Sequence, residues 1–318
     1  MLATIVGLAV AVWTVGAADF ANVMHTAGRL GAGGFLAYCA WSLGIYGLLG
    51  AAWLAAAPGE PGARLSLFTW ARLVREGVAD LLPFSHLGGL IVSARVLASA
   101  GIPARRVYGS LVVDMTTEMA GQVVFTLFGL AQMTSILIGN HAAVALRPAI
   151  LGGTGVMIAL MLAFFGAQQR ALDLAAVIAA RFLPNSTGML AEIRGELRAI
   201  YARRDHVLLA FGFNLLAWIA SGIGGWIALR LMGVSMSIWY VLSLESLIFT
   251  LRSVAFMIPG ALGVQEVAYA LAGPLFGLPA ETALALSLAK RAREIALGAP
   301  TLLLWQMNEM RAITAKSR

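Results

Sequence analysis

Cysteine is almost absent: Cys39 stands alone in 318 residues. A single thiol excludes an internal disulfide framework and any multi-thiolate metal centre. Histidine is scarce as well. His25, His86, His141 and His206 lie too far apart for a local metal pair such as HxxxH, so no metal and no cofactor is expected. Charged residues make up only 12% of the chain, against roughly 25% in an average soluble domain. No run of Lys or Arg exceeds two residues, so a pI near 10.2 reads as topological and no nucleic-acid partner is expected. No Walker-type GxxxxGK[ST] string occurs, and the energy source of any transport is therefore unmarked.

What remains is apolar. Hydrophobic residues make up 60% of the sequence, and mean hydropathy is +0.86. A water-soluble fold could not hide so much apolar surface, and the composition fits a chain whose solvent is the bilayer. The expectation is an all-α polytopic integral membrane protein with about six full spans and two broken helix pairs. The spans fall at Met1–Ala18, Gly33–Ala57, Tyr108–Leu137, Pro148–Gly166, His206–Met232 and Glu281–Gln306. The uncharged N-terminus lacks the basic start of a cleaved signal peptide and is kept as the first span.

Two stretches do not fit one span each. Leu65 to Ala100 carries Pro83 and Gly88-Gly89 near its middle; Ile238 to Phe276 carries Pro259-Gly260 and Gly263. Proline removes a backbone donor and glycine permits a sharp bend, so each stretch reads as two short helices joined at a kink. Such breaks persist at membrane depth only where protein or a wet cavity covers the freed backbone groups. Residues 168–205, with six Arg against four acids, read as surface helices along the membrane face. The whole chain 1–318 is expected to form one membrane domain. Its first half is 1–137 with a re-entrant pair at 65–100, and its second half is 206–318 with a broken pair at 238–276. Fourteen basic residues, among them Arg64, Arg72, Arg75, Arg105 and Arg106, fall on one side of this topology. Arg29, Arg147 and Arg230 fall on the other. The positive-inside rule then puts both termini in the cytoplasm of an inner-membrane protein.

The two broken stretches resemble each other. Val78-Ala79-Asp80-Leu81-Leu82-Pro83 aligns with Val254-Ala255-Phe256-Met257-Ile258-Pro259, and Leu87-Gly88 with Leu262-Gly263. One pair enters from the cytoplasm and the other from outside, the mark of an inverted repeat with a binding site at mid-membrane. The competing reading is chance matching in an apolar sequence.

Charges inside the spans are the candidate site. Basic residues Arg95, Arg252, Lys290, Arg291 and Arg293 accompany Asp19, Glu76, Asp80, Asp114, Glu118, Glu245, Glu266 and Glu294. A charge at the bilayer centre costs at least about 2.5–3.5 kcal/mol, so these should face a shared interior. Asp114 and Glu118, spaced i,i+4 with Gln122 beyond, share one helix face. They form either a cation or proton site or a structural ion pair with Arg95 or Arg252. Lys290 and Glu294, also i,i+4, can satisfy each other, while Arg291 and Arg293 point elsewhere; an arginine fork suits phosphate. Gln265 and Glu266 open a half-helix whose N-terminus would hold an anion, unless Glu266 favours a cation or merely caps it. His86 is a switchable donor in the opposite kink or a structural residue. Trp13, Trp53, Trp70, Trp239 and Trp305 read as interface anchors.

Two strings carry a family resemblance. The first is Arg75-Glu76…Leu81-Leu82-Pro83…Gly88-Gly89…Arg95, then Gly101, Asp114 and Glu118. The second is Arg252…Ile258-Pro259-Gly260-Ala261-Leu262-Gly263-Val264-Gln265-Glu266, followed by Leu286 to Glu294. Together they resemble the lysylphosphatidylglycerol synthase transmembrane-region family, most like its hopanoid-biosynthesis-associated subgroup. The resemblance implies a flippase-like module with opposed re-entrant helices. Full-length members add a soluble aminoacyl-transferase domain; this chain stops twelve residues after Gln306, so lipid aminoacylation is not expected of it. Relatives often carry Glu after the Gly-Gly pair, where this chain has Leu90; the resemblance implies that this role is lost or has moved to Glu76 or Asp80. The expected function is movement of an amphipathic lipid, of hopanoid or phospholipid type. The alternatives are a membrane-embedded headgroup enzyme and a non-catalytic partner of lipid-biosynthesis enzymes.

Overall fold

The computed structural model of the protein describes residues 19–82, 85–136, 187–254 and 261–316, with isolated positions at 9, 13, 14, 16, 152, 155, 158, 159, 162, 163 and 166. The expected spans Met1–Ala18 and Pro148–Gly166, and residues 168–186 of the surface segment, therefore lie largely outside the described residues. Among the described residues the chain is all-α. Its helices are α1 (Phe20–Gly28), α2 (Gly31–Ala55), α3 (Leu65–Leu81), α4 (Ser85–Ser99), α5 (Ala104–Ile136), α6 (Thr187–Ala202), α7 (Arg204–Leu231), α8 (Ile238–Val254), α9 (Val264–Ala272) and α10 (Ala280–Lys316).

Helices α2, α5 and α7 are long and apolar enough to cross a membrane. Helix α2 has 25 residues and no charge, so no face of it prefers water. Its exposed positions include Leu36 and Leu43, and Leu208, Leu216, Leu303 and Ile295 are exposed on other helices. Buried ionic residues with exposed leucines invert the pattern of a soluble core. By contrast α3 and α8 have 17 residues each, about 25 Å, short of the roughly 30 Å hydrocarbon layer.

Both short helices turn back. Helix α4 runs antiparallel to α3: a Cβ on Gly89 would fall 2.6 Å from the Arg75 carbonyl oxygen, and one on Gly88 would touch Val78. The two glycines therefore sit inside α4 as a close helix–helix contact; the break itself precedes them, at Leu82, which is extended. Pro83, Pro259 and Gly260 lie outside the described residues. Helix α9 likewise runs back along α8, with Gln265 against Arg252 and Tyr269 against Glu245. Gly263, at φ +80°, turns the chain into α9, a conformation open to glycine at little cost. The α3–α4 hairpin leaves and returns at one end of the bundle, where Trp53 at the end of α2 donates to Ser110 Oγ at the start of α5, 3.1 Å.

The two halves are related by exchange. Replace α2, α3, α4 and α5 by α7, α8, α9 and α10, and packed pairs map onto packed pairs. Thus α3–α10 maps onto α5–α8, α2–α3 onto α7–α8, α4–α5 onto α9–α10, and α2–α10 onto α5–α7. Helices α2 and α7, which exchange places, pack antiparallel: Gly34 lies by Leu231, Trp41 Nε1 donates to the Ala220 carbonyl at 2.8 Å, and His206 meets the Ala55 carbonyl at 3.0 Å. The two four-helix blocks therefore point in opposite directions.

Each block keeps an apolar core. One gathers Trp53, Phe68, Val74, Leu97 and Leu111; the other gathers Leu229, Leu244, Ile248, Tyr269 and Leu286. Trp53 is thus a core residue packed edge-on against Phe68, not an interface anchor, because the α3 hairpin covers it. Trp13 and Trp239 are exposed. Asp19, expected inside the membrane, is an exposed N-cap that accepts from the Asn22 amide. Helix α10 runs ten residues past the expected end of the closing span, through Pro300. Helix α6 lies on α5, burying Ile193, Leu197 and Ile200 and setting Glu196 against Arg105 and Arg106.

Candidate functional site

Between the two apolar cores lies a layer of ion pairs. In the first half, α3 presents Arg72 and Arg75 one turn apart, and α5 presents Asp114 and Glu118 one turn apart. Arg72 grips Glu118 with both Nη atoms, at 3.1 and 3.0 Å, and reaches Asp114 at 3.1 Å. Arg75 adds Glu118 at 3.0 Å and Asp114 at 3.5 Å. Asn214 donates to Asp114 Oδ1 at 3.3 Å, and Trp218 Nε1 to the Glu118 carbonyl at 3.1 Å. Two carboxylates four residues apart are thus neutralised by two guanidinium groups, with Arg72 and Asp114 fully buried.

The sequence expectation named Arg95 or Arg252 as their partner. Arg95 instead points outward, 62% exposed, and pairs with Glu309. Arg252 belongs to the other half. Arg72 and Arg75, counted above among the cytoplasmic-side arginines, lie within the bundle because α3 runs inward from Leu65. Their i,i+3 spacing, matching the i,i+4 acids of α5, was the available signal.

In the second half, Glu294 of α10 is the hub. Arg252 Nη1 donates to Glu294 at 3.1 Å and to Gln265 at 2.7 Å. Arg291 bridges Glu294 and Glu266, each at 3.1 Å. Arg293 Nη2 lies 3.6 Å from Glu294, and its guanidinium sits 5.4 Å over the Tyr38 ring. Gln265 is held by Ser287 Oγ, 2.8 Å. Glu266 accepts from the Gly263 amide at 2.8 Å, so of the readings left open for this half-helix start its carboxylate takes that of the α9 cap. Lys290 does not pair with Glu294. It pairs with Glu245 and receives Tyr269 as a shared partner, Tyr269 Oη lying 2.6 Å from Glu245 and 2.8 Å from Lys290. A buried ammonium needs several acceptors and an aromatic face, which α8 and α9 supply together; Phe249 adds its ring at 4.7 Å.

The halves join at Asp80 and Arg252, 3.6 Å apart. Across the layer six cations (Arg72, Arg75, Arg252, Lys290, Arg291, Arg293) stand among six paired carboxylates (Asp80, Asp114, Glu118, Glu245, Glu266, Glu294). Glu76 joins at the margin, 3.7 Å from Arg75. Gln122 does not extend the acid pair but donates to the Phe249 carbonyl on α8 at 3.2 Å. The side chain of His86 lies outside the described residues. Among the described residues no cluster of His, Cys, Asp and Glu suits a metal ion.

The pattern of the family described as lysylphosphatidylglycerol synthase TM region matches residues 1–299. The chain belongs to this family. No curated protein and no solved structure matches it. Membership ties the chain to membrane-lipid metabolism. The matched range includes all the ionic residues of the layer. The exposed leucines and the apolar α2, α5 and α7 agree with an integral membrane protein of this family.

Proposed function

We propose that the chain moves an amphipathic lipid across the membrane, its polar head passing through the ionic layer while its tails remain in the bilayer. One observation carries this reading: two helices too short to span, entering from opposite ends, meet at Asp80 and Arg252. Opposed helices that stop short of a full span, arranged around a polar interior, are a feature of alternating-access transporters. Asp80, Arg252, Arg293, Arg75, Arg291, Glu118 and Glu76 keep 14–27% side-chain exposure, whereas Arg72, Asp114, Glu245, Lys290, Glu266 and Glu294 are sealed. The two fully sealed pairs, Arg72–Asp114 and Glu245–Lys290, would hold the frame, and the open residues would meet the headgroup. A hopanoid or a phospholipid remains the substrate class.

The end of the bundle that carries the α3–α4 loops also carries Arg64, Arg105, Arg106, Arg203 and Arg204. This favours that end as cytoplasmic, in an inner membrane, with both termini there. The test is the purified protein in liposomes with fluorescent lipid in one leaflet. Faster exchange than in protein-free liposomes supports transport. A change in lipid mass would replace it with headgroup chemistry, and neither result would favour a scaffold for lipid-synthesis enzymes.

A further inference from the structure

The hub around Glu294 is rich in donors and short of acceptors. Tyr38 Oη, Arg293 Nε and Arg291 Nη2 are buried without a hydrogen-bond partner. Tyr38 is 1% exposed, and its ring lies under the Arg293 guanidinium. Ser42, one turn along α2, lies 3.5 Å from Arg293 Nη1, but its own proton goes to the Tyr38 carbonyl at 2.9 Å. Buried donors are costly to leave unmatched, most of all away from water. The carboxylates nearby are already engaged: Glu294 with three arginines, Glu266 with Arg291 and the Gly263 amide, and Asp80 with Arg252. Among the described residues, none supplies an acceptor to these donors.

We infer that Tyr38 Oη and the Nε edge of Arg293, with Ser42 alongside, form an oxyanion subsite for a phosphate oxygen of a lipid headgroup. The inference deepens the transport reading and rests on it for the lipid. A neutral hydroxyl would match one donor. Phosphate offers several acceptor oxygens, and a guanidinium edge flanked by a phenol suits it. Arg293 keeps 15% side-chain exposure and shares Glu294 with Arg252, which keeps 20%, so the subsite borders the partly open part of the layer.

Thermal unfolding of the full chain in detergent, with short-chain lipids as probes, tests this. Dioctanoyl phosphatidic acid should raise Tm saturably, and dioctanoylglycerol, which lacks only the phosphate, should not. Tyr38→Phe keeps the ring under Arg293 and should weaken the phosphatidic acid response roughly tenfold, as for loss of one hydrogen bond to a charged group. Arg293→Lys, which keeps the charge but loses the Nε–H, should weaken it also, and decides the matter if Tyr38→Phe proves unstable. Equal responses to both lipids, or unchanged affinity in the decisive variant, overturn the subsite. Saturation by inorganic phosphate at the same concentration overturns a lipid source. A phosphate-dependent response with no lipid exchange in liposomes leaves the subsite standing and removes the transport reading. Exchange without that response does the reverse.

Discussion

Asp80 and Arg252 lie 3.6 Å apart, each within two residues of the end of a 17-residue helix that enters the bundle from its own end. Arg252 also holds Glu294 and Gln265, so the contact links the first hairpin to the hub of the second. It is a partly open pair, with side chains 15% and 20% exposed, and at 3.6 Å it is longer than the 3.0–3.1 Å contacts that Arg72 and Arg252 make with Glu118 and Glu294. Motion of one hairpin tip against the other would stretch this contact.

The sealed Arg72–Asp114 pair should behave as structure. Removing one partner of a buried pair leaves an uncompensated charge and costs roughly 3–5 kcal/mol. Arg72→Met should lower stability by about that much, and Arg72→Met with Asp114→Asn should recover part of it. Arg95→Gln, at an exposed pair, should change stability by less than about 1 kcal/mol. Denaturation in detergent compares the three. An Arg95→Gln cost matching that of Arg72→Met would contradict the assignment.

The two adjacent glycines of α4 should respond differently. Gly89→Ala drives a methyl into the Arg75 carbonyl at 2.6 Å, whereas Gly88→Ala meets Val78 at 3.6 Å, an ordinary contact. The first should destabilise by roughly 1–3 kcal/mol. The second should lie within about 0.5 kcal/mol of the parent, or gain slightly from helix propensity. Equal melting temperatures for the two variants would mean that α3 and α4 are not packed this closely.

Gly263 and Glu266 make a linked prediction. Gly263→Ala strains a residue at φ +80°, costing roughly 1–2 kcal/mol. Glu266→Gln keeps an acceptor for the Gly263 amide but leaves Arg291 with Glu294 alone. Adding Arg291→Gln to Glu266→Gln should then restore stability. A double variant as unstable as the sum of the single changes would show that Glu266 acts only as the α9 cap.

Much of this was readable in the sequence. Uniform apolar runs fix α2, α5 and α7 because no other solvent accepts them, and Gly263 marks where the chain turns into α9. That the ionic residues face inward follows from the cost of charge in lipid. Their pairing was not readable. Arg72 and Arg75 stand near Arg64 in sequence and look like loop arginines, until α3 is seen to carry them into the bundle. Lys290 and Glu294 look paired at i,i+4, yet Glu245 and Tyr269 offer Lys290 better contacts from α8 and α9. Gly88-Gly89 looks like a kink because glycine signals a bend and a close contact equally well. The partners of each charge depend on how the hairpins nest, which no local spacing encodes.

The most direct test of the account is to tie the two hairpins together. Asp80→Cys and Arg252→Cys, combined with Cys39→Ala, should be bridged by a short bis-methanethiosulfonate cross-linker, whose spacer replaces the length of the arginine side chain that now closes the gap. In liposomes the cross-linked protein should fail to exchange fluorescent lipid between leaflets, and reduction of the linker's disulfides should restore exchange. Full exchange with the cross-link in place would contradict passage between the hairpin tips.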